Sequence, residues 1–396
     1  MNHPGGWWLL ALAGVLPGLL ALLELRHRLR PASPLRLEPG PWRLHLDQNR
    51  VRVRVQLQVT LVNTHARKEV MVAGFRAEPT LLSTRAVDGI NVKLRATPDH
   101  PDAQPRPDGY WAVSILKPRQ PMAVRLDLAL AGAGLQDLQA LWLEMSWLAY
   151  GPFGHLRQRH GLVIPLAEPA GNGQPTWRPG AGHQVLPLAT HLLGWLDDPL
   201  QVLRRYAGPH LQPGDVVALA ETPLAVMQGR YRLGATVEPS CLARQLCRGF
   251  HPHSSLATAC GLQALIDLVG PARVLWAWWG GIVLRLLGVR GGFYRLAGEQ
   301  ARLIDDLTGT IPPYDHTIVL GPEKSQAIVA RLAQALGQPV AVVDVNDLGR
   351  VKIVAGSVGV DPDLVHRALA ANPAGNANEG TPLVIIRPAP IAPPRP

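Results

Sequence analysis

The sequence predicts an α+β protein in three parts: an N-terminal transmembrane helix, a β-sandwich-like domain and an α+β body. Three observations carry that reading. Seventeen uncharged residues run from Trp7 to Leu23. Val51-Arg52-Val53-Arg54-Val55-Gln56-Leu57-Gln58-Val59-Thr60-Leu61 alternates strictly between apolar and polar, the period of a strand with one buried face. Beyond a Pro- and Gly-rich break near residue 170, apolar runs alternate with helical periods. The parts fall at 1–30 (anchor and basic flank), 31–41 (linker), 42–166 (β-domain), 167–184 (linker), 185–388 (body) and 389–396 (Pro-rich tail).

Trp7 and Trp8 open the apolar stretch with side chains suited to a bilayer interface, and Arg26, Arg28 and Arg30 follow it. With no Lys or Arg ahead of the stretch, the positive-inside rule predicts a single-pass protein whose C-terminal body is cytoplasmic. A cleavable signal peptide is the competing reading, but it needs positive charge before the apolar run and small residues after it. A second apolar segment, Val274 to Leu284, is too short to span. It reads as a buried helix or hairpin, or as an interfacial segment with Arg273 and Arg285 at headgroup level.

Within the β-domain, further strand-like runs occur at Glu69–Phe75, Ile90–Leu94, Tyr110–Leu116, Met122–Leu130, Ala140–Trp147 and Gly161–Leu166. Short strands at such spacing suggest a sandwich. The region has no paired carboxylates, histidine cluster or glycine loop, so chemistry is expected in the body. A net charge of +10 could suit nucleic acid, but the basic residues are scattered and no recognition motif is present. Three cysteines without a Cys-x-x-Cys pair disfavour a disulfide framework or structural zinc.

In the body, His316–Leu320 reads as a buried strand, Glu323–Leu336 as a helix capped by Gly337, and Val340–Val343 as a second strand, together a β-α-β unit. That strand runs into Asp344, Asn346 and Asp347, hard oxygen ligands suited to magnesium or manganese. The acidic pair at Asp305 and Asp306 could complete a metal site for a nucleotide triphosphate, with Arg302, Lys324, Arg350 or Lys352 neutralising phosphates. A solvated turn is the simpler reading of that pair. No P-loop motif is present.

Four segments of the body resemble the coenzyme F-420 gamma-glutamyl ligases. They are Pro213 to Pro223 continuing to Gln228-Gly229-Arg230, the Ile304-Asp305 segment, Ile318 to Gly359, and Glu379 to Arg387, in family order over about half the chain. The order of anchor, β-domain and body is similar to membrane-associated, ligase-like proteins. The resemblance implies an intertwined α+β homodimer that uses GTP and a divalent metal to join glutamate, or another amino acid, to a carboxylate acceptor through an acyl phosphate. It implies metal contacts from Asp305, which matches the family's first aspartate, and from the Asp344, Asn346 and Asp347 segment, and it adds Glu221 to the nucleotide site. Aligned on Gly349-Arg350, the family's Asp-Thr pair falls on Asn346-Asp347, with Asp344 two residues early. A noncatalytic binding or scaffold protein built on a degenerate ligase fold is the alternative.

Overall fold

The computed structural model describes residues 35–47, 51–83, 85–101, 103–151, 153–167, 175–306, 311–345, 349–375 and 379–389, together with Val15, Gly18, Leu22 and Leu25. Eight strands come first: β1 (Leu35–Leu46), β2 (Arg52–Asn63), β3 (Val70–Ser83), β4 (Asn91–Asp99), β5 (Ser114–Leu116), β6 (Pro121–Ala131), β7 (Leu138–Gly151) and β8 (Gly154–Pro165). They form two antiparallel sheets, β1-β2-β6-β4 and β5-β3-β7-β8. The alternation in β2 turns Val53, Val55, Leu57, Val59 and Leu61 inward, where they join Leu126, Leu128 and Leu130 of β6 and Leu141, Leu143 and Met145 of β7. Burying each large apolar side chain contributes about 1.5–3 kcal/mol, so this layer is the main support of the sandwich.

β1 begins inside the stretch whose prolines suggest a linker. It lies at a sheet edge, where a missing N–H costs little, and its register shifts between Pro39 and Trp42. Gly40 is required at that irregularity, because a Cβ would meet the Gln58 carbonyl oxygen at 2.9 Å.

The body follows with β9 (Arg178–Gly180), β10 (His183–Leu188), α1 (Pro199–Tyr206), β11 (Val216–Ala220), α2 (Glu221–Met227), β12 (Tyr231–Leu233), α3 (Cys241–Leu246), α4 (Ala259–Val269) and α5 (Pro271–Leu286). It continues with α6 (Gly292–Ala297), α7 (Gln300–Leu303), β13 (Thr317–Val319), α8 (Ser325–Leu336), β14 (Val340–Val345), β15 (Val351–Gly356), α9 (Pro362–Leu369) and β16 (Leu383–Pro388). The main sheet has the order β15-β14-β11-β16-β10-β9. Of its described pairs, β11 with β14 is parallel and the rest are antiparallel. Val202 and Leu203 of α1, Leu224 and Met227 of α2, and Val329 and Leu332 of α8 pack on one face. Leu364, Val365, Ala368 and Leu369 of α9 cover the other. Local chemistry sets the helix ends: Asp361 accepts from the Asp363 N–H to start α9, and Gly337 ends α8 at φ +70°.

Two expectations need correction. Among the described residues no helix is long and apolar enough to cross a membrane, which overturns the transmembrane helix and the single-pass placement with a cytoplasmic body. At 1.5 Å per residue, seventeen residues rise only about 26 Å, short of the ~30 Å hydrocarbon core. Val15, Leu22 and Leu25 are helical and exposed, while Trp7, Trp8, Arg26, Arg28 and Arg30 lie outside the described residues. The β-α-β unit is also wired differently, since β13 pairs antiparallel with β12 and the parallel neighbour of β14 is β11. Burial constrains β13 to an apolar layer without naming its partner strand.

The sandwich and the body share a core. Ala140 and Trp142 on the outer face of β7, and Val163 on β8, pack with Ala225, Val226, Tyr231 and Tyr314 of the body. Trp142 meets the Tyr314 ring edge-on at 6.0 Å, and the Tyr231 hydroxyl donates to the Gly161 carbonyl at 2.8 Å. The runs Ala140–Leu143 and Leu162–Ile164 are apolar on both faces because both faces are covered. His160 sits in this seam, stacked on Trp195 at 4.6 Å and 5.1 Å from Tyr231. Gly229 is held at φ +67° against Trp195, where a Cβ would overlap the indole.

Candidate active site

Because β11 and β14 run parallel, their carboxyl ends coincide, with Val217 to Ala220 beside Val340 to Val343. Ligands collect at such ends. The chain leaves β11 directly into α2, which places Glu221 at the first helical position, and Asp344 lies near the end of β14 opposite Lys352 of β15. Asp305 arrives from the other side through a two-bond bridge with Val319, N to O at 2.9 Å and O to N at 2.8 Å. Thr222 joins them, its hydroxyl 3.1 Å from Asp305 Oδ2 and 3.4 Å from Glu221 Oε2.

The cluster is short of positive charge. Glu221 is 6% exposed, and among the described residues its Oε1 has no hydrogen-bond partner, nor has the buried Lys352 Nζ. Burial, then the charges of Asp305 and Asp344, push the Glu221 carboxyl up to about 9, against the opposing pull of Lys352. Burial and Asp344 raise Asp305 to about 6, although the Thr222 hydroxyl favours its ionised form. At neutral pH the site therefore holds Glu221 protonated. These are hard oxygen donors of the kind magnesium or manganese takes, but among the described residues no three His, Cys, Asp or Glu side chains converge closely enough to hold a metal ion.

The expected site residues separate into groups. Glu221, Asp305, Asp344 and Lys352 come together. Arg350 shares with Lys352, Ser357 and His366 an open groove of about 540 Å³. Lys324 lines a different cavity of about 430 Å³ with Arg273, Gln300 and Glu323, at the start of α8. Arg302 is exposed on α7 and lines neither. Asn346 and Asp347 lie outside the described residues. Sequence reasoning missed Thr222 and the organising role of Arg230, which donates to the Gly321 carbonyl at 2.6 Å and to Gln300 Oε1 at 3.1 Å, and pairs with Glu323. Both lie inside the 213–230 stretch on which the ligase resemblance rests, but nothing in their spacing shows what they touch.

Residues 36–168 match the family model described as the F420-0:gamma-glutamyl ligase, N-terminal Ig-like domain. The match assigns the sandwich as Ig-like and relates the chain to that ligase family. No curated protein matches the chain. Among solved structures, similarity is found to the GAE domain of GGA2p from Saccharomyces cerevisiae, 12% identical over 35% of this chain and 96% of that one at a TM-score of 0.20. The CupB6 tip adhesin from Pseudomonas aeruginosa is 15% identical over 38% of this chain and 60% of that one at 0.21. Likeness at that level assigns neither fold nor function to the whole chain.

Proposed function

We propose that the body is an amide ligase that uses GTP and a divalent cation to join glutamate, or another amino acid, to a carboxylate acceptor. The observation that carries this reading is the buried Glu221 clustered with the half-buried Thr222, Asp305 and Asp344 and facing Lys352, in a chain whose Ig-like domain is related to the gamma-glutamyl ligases. Carboxylates crowded until one holds its proton above neutral pH are in an environment that a cation would relieve. Magnesium or manganese entering with the nucleotide would take most of its ligands from the phosphate oxygens, with Asp305 and Asp344 the neighbouring carboxylates, and would neutralise those oxygens as they approach the acceptor. Lys352 and Arg350, on one groove, add fixed positive charge for the same anions. The acceptor carboxylate oxygen takes the γ-phosphoryl group and GDP leaves. The amine nitrogen then attacks the acyl carbon, phosphate departs with the former carboxylate oxygen, and the amine proton passes to solvent.

The test is release of GDP and phosphate by the full chain with Mg-GTP or Mn-GTP, glutamate and a panel of carboxylate acceptors. Expected is metal-dependent cleavage that rises when both cosubstrates are present, and loss of nucleotide affinity of about 1–3 kcal/mol in Asp305→Asn, the scale for removing a charge-assisted contact. A folded protein that neither binds nor cleaves GTP with any acceptor would overturn the enzyme reading and leave the scaffold one.

A further inference from the structure

α5 is apolar on both sides, and among the described residues only one side is packed against the fold. Val274 and Ala277 are buried, and Trp278 packs on Phe250 at 5.4 Å and on Phe293 at 6.3 Å between ring centroids. Gly281 lies so close to α6 that a Cβ would meet the Phe293 backbone nitrogen at 2.9 Å. The opposite side presents Leu275, Trp276, Trp279, Ile282, Val283 and Leu286, with Leu287 just beyond the helix. Trp276 and Trp279 are 64% and 65% exposed and Leu286 is 83% exposed. A contiguous apolar face of this kind, spaced at 275, 279, 282 and 286, marks an interaction surface.

Charge selects the partner. Between Asp267 and Glu299 the sequence contains no carboxylate, and its charges are Arg273, Arg285, Arg290 and Arg295. All four are exposed. A second copy would set arginines against arginines. An anionic lipid surface attracts them, and Trp at the edge of an apolar helix face matches the boundary between headgroups and acyl chains. We propose that α5 is a peripheral lipid contact, lying flat on an anionic bilayer surface without crossing it, with Trp276, Trp279, Ile282 and Leu286 at the acyl boundary and Arg285 and Arg290 among the headgroups. The proposal is independent of the ligase reading, because none of these side chains belongs to the carboxylate cluster.

Hydrogen–deuterium exchange of the full chain gives a local readout that other apolar segments do not confuse. With phosphatidylcholine/phosphatidylglycerol vesicles, peptides covering 271–290 should exchange several-fold more slowly, and with pure phosphatidylcholine much less so. Trp276→Ser/Trp279→Ser and Arg285→Glu/Arg290→Glu should each abolish most of that protection at unchanged melting temperature, since the replaced side chains are exposed. Raised salt should weaken it, because surface charges are screened over about 8 Å at physiological ionic strength. Unchanged exchange at 271–290 on adding anionic vesicles would overturn the proposal. So would slowing that tracks protein concentration without lipid and accompanies a dimer in light scattering, which would assign the face to a second copy.

Discussion

The Ig-like sandwich and the main sheet of the body bury similar aliphatic side chains, yet they differ in the polar groups buried with them. The described sandwich buries Asn63, His100 and Ser114, and Asn63 spends its amide on the Lys68 and Leu116 carbonyls at 2.8 and 3.0 Å. Among its described residues the body buries three carboxyl residues, Asp215, Glu221 and Asp306. Asp215 is matched by Arg387, whose Nε and Nη2 each donate to it at 2.8 Å, and the guanidinium also lies 4.1 Å over Trp177. Among the described residues Glu221 has no such partner. A buried acid that is paired belongs to the fold; one left with an orphaned oxygen beside other acids is a place where the fold gives up stability, and such places are candidates for function.

Among the substitutions, the largest loss of stability at a fixed neutral pH is expected from removing the paired acid. Asp215→Ala leaves Arg387 without its carboxylate and should cost about 3–5 kcal/mol in urea unfolding. A loss no larger than that of an exposed substitution would place Asp215 outside the support of the sheet. In the sandwich, Leu126→Ala removes a fully buried side chain and should cost about 2–5 kcal/mol through lost transfer energy and the cavity left behind. If this variant leaves the proposed GTP cleavage, once that is detected in the parent chain, intact at temperatures where it stays folded, the division of labour between the two regions stands.

The unpaired acid gives a pH signature. The folded carboxyl of Glu221 sits near 9 against 4.5 ordinarily, so its contribution is complete below 4.5 and is lost as pH rises toward 9. Stability should decline by about 1.4 kcal/mol per pH unit for that one proton, and Glu221→Gln, which imitates the protonated form, should flatten the slope. A slope that persists in the variant would assign it to other groups.

The smallest effect is expected at the seam, with the opposite sign. Burial pushes the His160 imidazole down to about 4 from 6.5, against hydrogen bonding that favours its charged form, including the 2.8 Å contact between Nδ1 and the Gly161 carbonyl. The residue keeps some surface, but its ring is packed between Trp195 and Tyr231. Its contribution is present above about 6.5 and is lost as pH falls toward 4. The acid limb of unfolding should therefore be shallower in His160→Gln, and an identical limb in both proteins would show that protonation there is not coupled to the seam.

Much of the sandwich is legible because period two has one physical cause, and the β2 register follows from it. β1 was hidden by Pro39 and Pro41, whose exclusion from strands lapses at an edge. Tyr110–Leu116 reads as a strand, yet only Ser114–Leu116 pairs, since side-chain preference does not supply a neighbouring backbone. Of the candidate site, Asp344 was visible as an acid at a strand end and Asp305 as one of an acidic pair, while the contacts of Thr222 were not.

The sequence by itself determined the alternation of β2, the caps at Asp361 and Gly337, the apolar character of α5 and the arginine-only charge around it, because each depends on residues within a few positions of one another. Tertiary structure alone decided that β14 lies parallel to β11, that Asp305 meets Thr222 across 83 positions, and which side of α5 is left exposed. Those outcomes depend on which surfaces meet in space, and an apolar residue carries the same local signal whether its neighbour is the core of its own chain or lies outside it.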